Sequence, residues 1–201
     1  MVQSAESVVT PERYAAGITY AEYLASIERN QKRFEENYAG TEIAAADAAA
    51  FKALMARPGG PAKMMVIGED WCPDVFRGMP VFAKLAEATG IEMRVFKRDE
   101  NKDIIGEFLK DGEHESIPVA VFYTKDHRYI AHFIERPALA NEEMRTVLVP
   151  MYARLRKPDA TPDEKEAMKQ EYIAFQNGPI WSNWRQETVR ECIRLIEAKV
   201  S

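Results

Sequence analysis

The segment that most constrains the fold spans residues 64–88, where an apolar run, a short turn and a helical pattern follow one another. Residues 64–68 form a run of the length expected for a buried strand, and residues 76–88 repeat apolar side chains at helical spacing. The turn between them reads Trp71-Cys72-Pro73-Asp74, and proline suits the first position of a helix. The segment therefore predicts a strand followed by a helix, with the Cys72 thiol at the helix N-terminus.

The rest of the chain predicts one α/β domain with helical extensions at both ends. Apolar runs and alternation predict strands, the last two joined as a hairpin, at residues 63–68, 91–96, 119–123 and 129–134. Helical spacing and capping signals predict helices at residues 20–38, 44–56, 76–88, 101–109, 141–155, 162–177 and 182–198. We assign residues 1–43 to an N-terminal helical extension, 44–150 to the core, and 151–201 to a C-terminal extension packed on that core.

Composition narrows the classes of function. The chain is 46% hydrophobic with a formal net charge of -5, so it can bury a core but lacks the basic field of a nucleic-acid-binding surface. No apolar run reaches the roughly 20 residues that cross a bilayer, which argues against a membrane partner. The first residues lack the layout of a signal peptide, so we expect a cytoplasmic location. Two cysteines do not suggest a secreted disulfide scaffold.

The order of these elements around two motifs resembles the thioredoxin family. The first motif is Trp71-Cys72-Pro73-Asp74, which is similar to that of a bacterial subgroup carrying Trp-Cys-Pro-Asp-Cys, and the second is Ile117-Pro118 directly before a strand. The resemblance covers roughly residues 44–150. It implies a thioredoxin-like central mixed sheet flanked by helices, with a cis proline at position 118 against the active-site cysteine.

The resemblance also implies a substrate groove beside Pro118, where an extended peptide or a thiol substrate would lie. Trp71, Ile117 and Pro118 would frame this groove, with Pro73 and Asp74 at the adjoining turn. For Trp71 a role in packing is as good an interpretation as a role in gripping a partner. Asp74 either tunes the thiol or favours the helix N-terminus.

Two positions depart from the family pattern. Val75 stands where the subgroup has its second cysteine, so a mixed disulfide at Cys72 could not be released by attack from position 75. Val66 stands where thioredoxins carry a buried acid, so the proton-relay group is missing there. The motif is therefore that of a site with one thiol.

Cys72 is the main candidate for chemistry. Helix-terminal amides favour its thiolate, whereas Asp70 and Asp74 favour the neutral thiol. Two interpretations follow from this balance. Cys72 is either a nucleophile that forms a mixed disulfide or a sulfenic acid, or an inert remnant in a fold used for something else.

Cys192 lies among apolar residues of the last predicted helix, where it is either a buried small residue or a distant thiol that resolves an adduct at Cys72. His114, His127 and His132 have no metal-ligand spacing with a cysteine, so we expect no metal site, and no cofactor is required. Trp181 and Trp184 suit helix packing or an exposed partner-binding patch.

Two functions remain open at this stage. By resemblance, the chain would be a thiol-disulfide oxidoreductase with a single thiol, active in exchange or in reversible thiol capping. Its partner would be a protein or a low-molecular-weight thiol or disulfide. The alternative is a redox-inactive binding or scaffold protein whose helical extensions form a homodimer or a partner surface.

Overall fold

The computed structural model describes residues 7–176 and 178–200 of the chain. Residues 1–6, to which the expectation about a signal peptide applies, lie outside the described residues. Asn177, where one predicted helix ends, lies outside them as well. Within the described residues, no helix is both long and apolar enough to cross a membrane.

Four strands form the sheet of the described residues, in the order β2-β1-β3-β4. Their bounds are β1 Lys63–Gly68, β2 Glu92–Lys97, β3 Val119–Tyr123 and β4 Tyr129–Ile134. Strand β1 pairs parallel with β2 and antiparallel with β3, and β3 pairs antiparallel with β4 as the predicted hairpin. Strand β3 is buried along its whole length, which explains why its sequence is a continuous apolar run. This mixed sheet, flanked by helices, confirms the α/β fold predicted from the sequence.

Helices flank the sheet and extend beyond it in sequence. Before and within the sheet region they are α1 Pro11–Ala15, α2 Tyr20–Ser26, α3 Gln31–Ala39, α4 Ala45–Met55, α5 Pro73–Thr89 and α6 Lys102–Gly106. After the sheet they are α7 Ala138–Glu143, a π-helical turn Met144–Leu148, α8 Val149–Leu155, α9 Pro162–Gln176 and α10 Pro179–Glu197.

The main core joins the sheet to helices from both ends of the chain. Helix α5 is buried along most of its length, from Val75 onwards. The second half of α10 adds Val189, Cys192 and Ile196 to the same core. The first half of α10 belongs to a second, smaller apolar cluster with Trp181 and Trp184, formed with α7, the π-helical turn and α8. Helix α10 therefore links the two clusters.

The single helix predicted at residues 20–38 is wrong, because the chain forms α2 and α3 with a break between them. Thr19 caps the start of α2, as expected from the sequence, and it does so in a capping box with Glu22. The break follows Ile27, whose backbone is extended, and Asn30 adopts a left-handed conformation with φ of 57°. Backbone amides of the break donate to Asp70, far along the chain, so helical periodicity could not reveal it.

Other boundaries differ for local reasons. The helix predicted from residue 141 begins at Ala138, and the π-helical turn ends two residues before Pro150, whose missing N–H interrupts the α-helical ladder. Helix α6 ends at Gly106 instead of residue 109. Helix α10 begins earlier than residue 182, at Pro179, because proline at the first helical position needs no donor. Helix α1 is too short for its period to be seen, although Thr10 caps it.

The N-terminal segment covers part of the outer edge of β2. Ile18 exchanges backbone hydrogen bonds with Val95, at 3.1 and 2.7 Å between nitrogen and oxygen. The Tyr14 hydroxyl donates to the carbonyl oxygen of Glu92 at 3.0 Å. These contacts satisfy edge groups of the sheet that would otherwise face outward.

Candidate functional site

Cys72 is the N-cap residue of α5. Its backbone is extended, and its carbonyl oxygen accepts the first helical bonds, from Val75 N at 3.0 Å and Phe76 N at 3.1 Å. The partly buried Cys72 Sγ donates to the carbonyl oxygen of Ile117, with 3.7 Å between the two atoms. The fold thus brings together the two sequence motifs, one from the β1–α5 turn and one from the start of β3.

The Ile117–Pro118 peptide bond is cis. Helix α5 packs closely on this proline: a Cβ placed on Gly78 would lie 3.1 Å from Pro118 Cγ, so glycine allows the close approach. Ile117 is only 4% exposed, and Pro118 is buried as well. Ile117 and Pro118 can therefore contribute to a substrate groove only as buried residues beneath its surface.

Trp71 and Pro73, on either side of Cys72 in sequence, are exposed at the surface. Trp71 is 42% exposed, and the Arg98 guanidinium lies over its ring at 4.9 Å from the centroid. Arg98 Nη1 also donates to the carbonyl oxygen of Glu115, shortly before Ile117. The indole of Trp71 is thus positioned by a cation over its ring while much of the residue stays exposed.

The environment of Cys72 raises the pKa of its thiol above the ordinary value. Burial is the largest cause, and the negative charges of Asp74 and Glu135 add to it. Backbone amides of Val75 and Asp74 act in the opposite direction without outweighing these effects. Of the two carboxylates expected to favour the neutral thiol, Asp74 therefore contributes and Asp70 is not among the causes, while burial has the largest effect.

Asp74 is the centre of a charge network beside the thiol. Its carboxylate accepts from Arg136 at 2.7 and 3.2 Å and from Arg77 Nη2 at 3.0 Å. Arg136 also pairs with Glu135, and Glu135 pairs with Lys110 at 2.6 Å. We call these five residues the Asp74 network. Asp74 thus does more than tune the thiol or favour a helix N-terminus: it ties α5 to the end of β4.

Two further features of the network adjoin the Cys72 site. Glu135 has a φ of 67°, in the left-handed region that few non-glycine residues adopt, and its N–H donates to Pro118 O at 2.7 Å. Arg77 is fully buried, and its guanidinium lies over the rings of Trp181 and Trp184 at 5.5 and 5.6 Å from their centroids. Both tryptophans are buried, so the expectation of helix packing is confirmed and that of an exposed patch is wrong.

The acidic residues before the motif have a positioning role. Asp70 Oδ2 accepts from the backbone amides of Glu28 and Arg29 at 3.1 and 2.9 Å, and Asn30 donates to the Asp70 carbonyl oxygen. Glu69 accepts from the Asp99 amide at 2.7 Å. These bonds attach the turn that carries Cys72 to the α2–α3 break and to the chain after β2.

No other described residue offers redox or metal chemistry at this site. Val75 and Val66 are completely buried core residues. Cys192 is completely buried too, and this burial raises the pKa of its thiol. Within the described part of the chain, no group of three or more histidine, cysteine or acidic side chains could hold a metal ion.

Sequence reasoning missed the other four members of the Asp74 network: Lys110, Arg77, Glu135 and Arg136. Arg77 carried a weak signal, because an arginine three residues after an aspartate can pair with it on a helix. The contacts of Arg136 with Asp74 and of Lys110 with Glu135 join residues far apart in sequence, so only the fold brings them together.

Comparisons with known proteins identify the fold and its family. A family model described as Thioredoxin matches residues 17–151. No curated protein matches the chain. A solved structure of a protein of unknown function from Pseudomonas aeruginosa is 15% identical, with a TM-score of 0.61, and the match covers 92% of this chain and 95% of that one. An HIV epitope-scaffold is also 15% identical, with a TM-score of 0.59 and coverage of 93% and 96%. At this identity the two structures support the fold alone.

Proposed function

We propose, from the premise that this chain belongs to the thioredoxin family, that it performs thiol-disulfide exchange or reversible thiol capping through the single thiol of Cys72. The observation that carries the proposal is the contact of Cys72 Sγ with the Ile117 carbonyl oxygen at the cis proline. Cys72 at the start of α5 is a partly exposed residue, and its neighbours Trp71 and Pro73 are exposed, which supports access of a substrate to this turn.

In the proposed reaction, the Cys72 thiol loses its proton and the thiolate attacks one sulfur of a disulfide. A new sulfur–sulfur bond forms to Cys72 as the substrate's bond breaks, and the leaving thiolate takes up a proton. A second, external thiol then attacks the mixed disulfide, restores the Cys72 thiol and leaves as the new disulfide. No cofactor takes part.

The external thiol is part of the proposal because the chain offers no accessible internal one. The sequence has two cysteines, and position 75 is a buried valine. Cys192 is completely buried on α10, so it could reach a mixed disulfide only if the helix moved away from the core. We place the proposed activity in the cytoplasm, where small thiols are abundant.

The experiment is a measurement of adduct formation by intact-protein mass spectrometry under native conditions. The wild-type protein is incubated with 2-hydroxyethyl disulfide, a small neutral disulfide. We expect one adduct per chain, which disappears in Cys72→Ser and on addition of excess thiol. The matched control Cys192→Ser should still form the adduct, because Cys192 is buried.

One result of this experiment would contradict exchange at Cys72. If native protein forms no adduct, while denatured protein forms adducts at both cysteines, Cys72 is not a working thiol. The scaffold interpretation would then replace exchange.

A further inference from the structure

We propose that an acidic cavity between the α2–α3 break and the turn after β1 binds a primary ammonium group on a short aliphatic chain. The cavity has a volume of about 210 Å³, and Tyr23, Glu69 and Asp70 are among the residues that line it. The inference goes beyond the proposed function and does not depend on exchange at Cys72. It stands on two observations: a buried hydroxyl without a partner, and an excess of carboxylates around it.

The lining of the cavity carries more negative than positive charge. Four carboxylates line it against two cations, namely Glu28, Glu69, Asp70 and Glu100 against Arg29 and Lys97. Lys97 Nζ lies 3.9 Å from Glu100 Oε1, which is too far for a hydrogen bond, and the Glu100 side chain is 71% exposed. Lys97 is therefore drawn to the most exposed of these acids instead of the two that precede Trp71.

Tyr23 is the buried polar residue of this cavity. It is 0% exposed, and its hydroxyl has no hydrogen-bond partner among the described residues. Burial is the largest cause of a raised pKa of Tyr23, and the negative charges of Glu69 and Asp70 come next. No cation is among the causes, so neither Lys97 nor Arg29 neutralises the negative potential at this hydroxyl. The Tyr23 hydroxyl thus lies at the acidic end of the cavity, where a buried unpaired group costs free energy.

The unused acceptors at this end match the donors of a primary ammonium group. Asp70 accepts the amides of Glu28 and Arg29 through Oδ2 alone, and Glu69 accepts the Asp99 amide through Oε1 alone. Asp70 Oδ1, Glu69 Oε2 and the Tyr23 oxygen make three acceptors for the three N–H donors of an ammonium.

An ammonium group fits this lining better than a metal ion does. In the part of the chain that the structure describes, no three histidine, cysteine or acidic side chains are grouped so as to hold a metal. The cavity also includes Ile27 in its lining, which offers an apolar contact to an alkyl chain. The ligand is therefore an organic cation, with its charge at the buried end and its chain towards the opening.

The experiment is a titration of the full-length protein followed by ¹H–¹⁵N NMR at low ionic strength. The amides of Glu28, Arg29 and Asp99 serve as reporters because they donate to lining carboxylates. The probes are butylammonium, neutral 1-butanol, and tetramethylammonium, which is cationic but has no N–H donor. We expect saturable shifts with butylammonium, binding at least about tenfold weaker with tetramethylammonium, and no saturable shift with butanol. Added salt should weaken the binding of butylammonium.

A fourth probe distinguishes the two sources of such a group. Nα-acetyl-lysine amide presents the ammonium group as a lysine side chain of a peptide would. Tighter binding of this compound than of butylammonium supports a lysine side chain as the source. Tighter binding of butylammonium supports a free amine, and both results support the ammonium site itself.

Conservative variants test the acceptors. Tyr23→Phe removes only the unpartnered hydroxyl, so the fold should be kept while the affinity for butylammonium falls by about tenfold. Tyr20→Phe is the matched control, because the Tyr20 hydroxyl on the same helix is also buried without a partner in the described chain but does not line the cavity. It should leave the affinity unchanged. Glu69→Gln keeps an acceptor for the Asp99 amide and should weaken binding by at least about threefold.

Three results would overturn the inference. Equal shifts with butanol and butylammonium would mean that the cavity takes any alkyl chain. Equal affinity for tetramethylammonium would mean that only diffuse charge acts, without the three acceptors. An unchanged affinity in both Tyr23→Phe and Glu69→Gln would place the ammonium elsewhere. None of these results bears on adduct formation at Cys72, so the proposed function is tested separately.

Discussion

At the scale of single residues, Asp74 has opposing effects. Its carboxylate holds Arg77 and Arg136 in place, which stabilises the start of α5 against the end of β4. The same negative charge, two residues from Cys72, raises the pKa of the thiol. Asp74 therefore stabilises the site and also lowers the reactivity of the Cys72 thiol.

Replacing the Asp74 carboxylate should make the Cys72 thiol more reactive. In Asp74→Asn we expect the pKa of Cys72 to fall and alkylation by iodoacetamide at pH 8 to speed up by about three- to tenfold, since one pKa unit is a factor of ten in thiolate. In the wild type, the raised pKa means that the rate keeps increasing with pH beyond the ordinary titration range of cysteine. The pH profile of the alkylation rate measures the pKa of Cys72 in the variant and in the wild type.

Asp70→Asn is the matched control for Asp74→Asn. Asp70 also adjoins the cysteine, but its carboxylate binds backbone amides of the α2–α3 break. Its replacement should leave the pH profile near that of the wild type. A profile in Asp74→Asn that coincides with the wild type would show that the charge of Asp74 does not act on the thiol.

The position of Cys72 could be predicted from the sequence because proline after it marks the helix start and the apolar run before it marks a strand. Its raised pKa could not, because burial and the charge of Glu135 depend on how distant segments pack. The same holds for Ile117: the motif indicated its place beside the thiol, whereas its burial is a property of the assembled fold.

At the scale of elements, α5 and α10 are joined through Arg77. The guanidinium leaves α5 and lies over two tryptophan rings of α10 while it pairs with Asp74 on its own helix. Buried ion pairs contribute little when compared with apolar replacements, but removal of one partner leaves the other charge poorly compensated. The helix that carries the thiol is therefore linked energetically to the C-terminal helix.

Arg77→Met tests this link. We expect it to lower the free energy of unfolding by about 3 kcal/mol, at the lower end for a broken buried pair because Asp74 keeps Arg136. Urea denaturation followed by tryptophan fluorescence measures the change. Arg154→Met, which breaks the exposed pair with Glu171, should change it by less than about 1 kcal/mol. Equal effects of the two substitutions would rule out a special role for Arg77.

Element boundaries divide into those set locally and those set by tertiary contacts. Thr161 and Glu164 form a capping box in the sequence and in the structure, where both reciprocal bonds to the start of α9 are made. The α2–α3 break has no comparable local signal, because Asp70 holds it from across the fold. Local chemistry could be predicted, whereas a contact that spans the chain could not.

At the scale of the whole molecule, the two apolar clusters differ in depth. The main core includes β3, which is buried throughout, whereas α9, which packs against the smaller cluster, has no fully buried residue among those whose burial is described. Regions with few buried contacts open locally at low free-energy cost. The C-terminal extension should therefore open in part while the sheet stays intact.

Hydrogen–deuterium exchange with mass spectrometry measures this difference. Amides of α9 should exchange at least about tenfold faster than those of β1 under native conditions. Peptides from the second half of α10 serve as the internal control, since Val189 and Ile196 lie in the main core and should exchange slowly. Equal protection of α9 and β1 would mean that the molecule opens only as one unit.

The Ile18–Val95 bridge has a consequence for how copies of this chain meet. An open strand edge is a template on which another molecule can add a strand. Here the chain's own N-terminal segment occupies main-chain groups of β2, and the Tyr14 hydroxyl occupies one more. Polymerisation through this edge would first require the N-terminal segment to dissociate from β2. A few residues outside the sheet therefore protect the protein against fibre growth from that side.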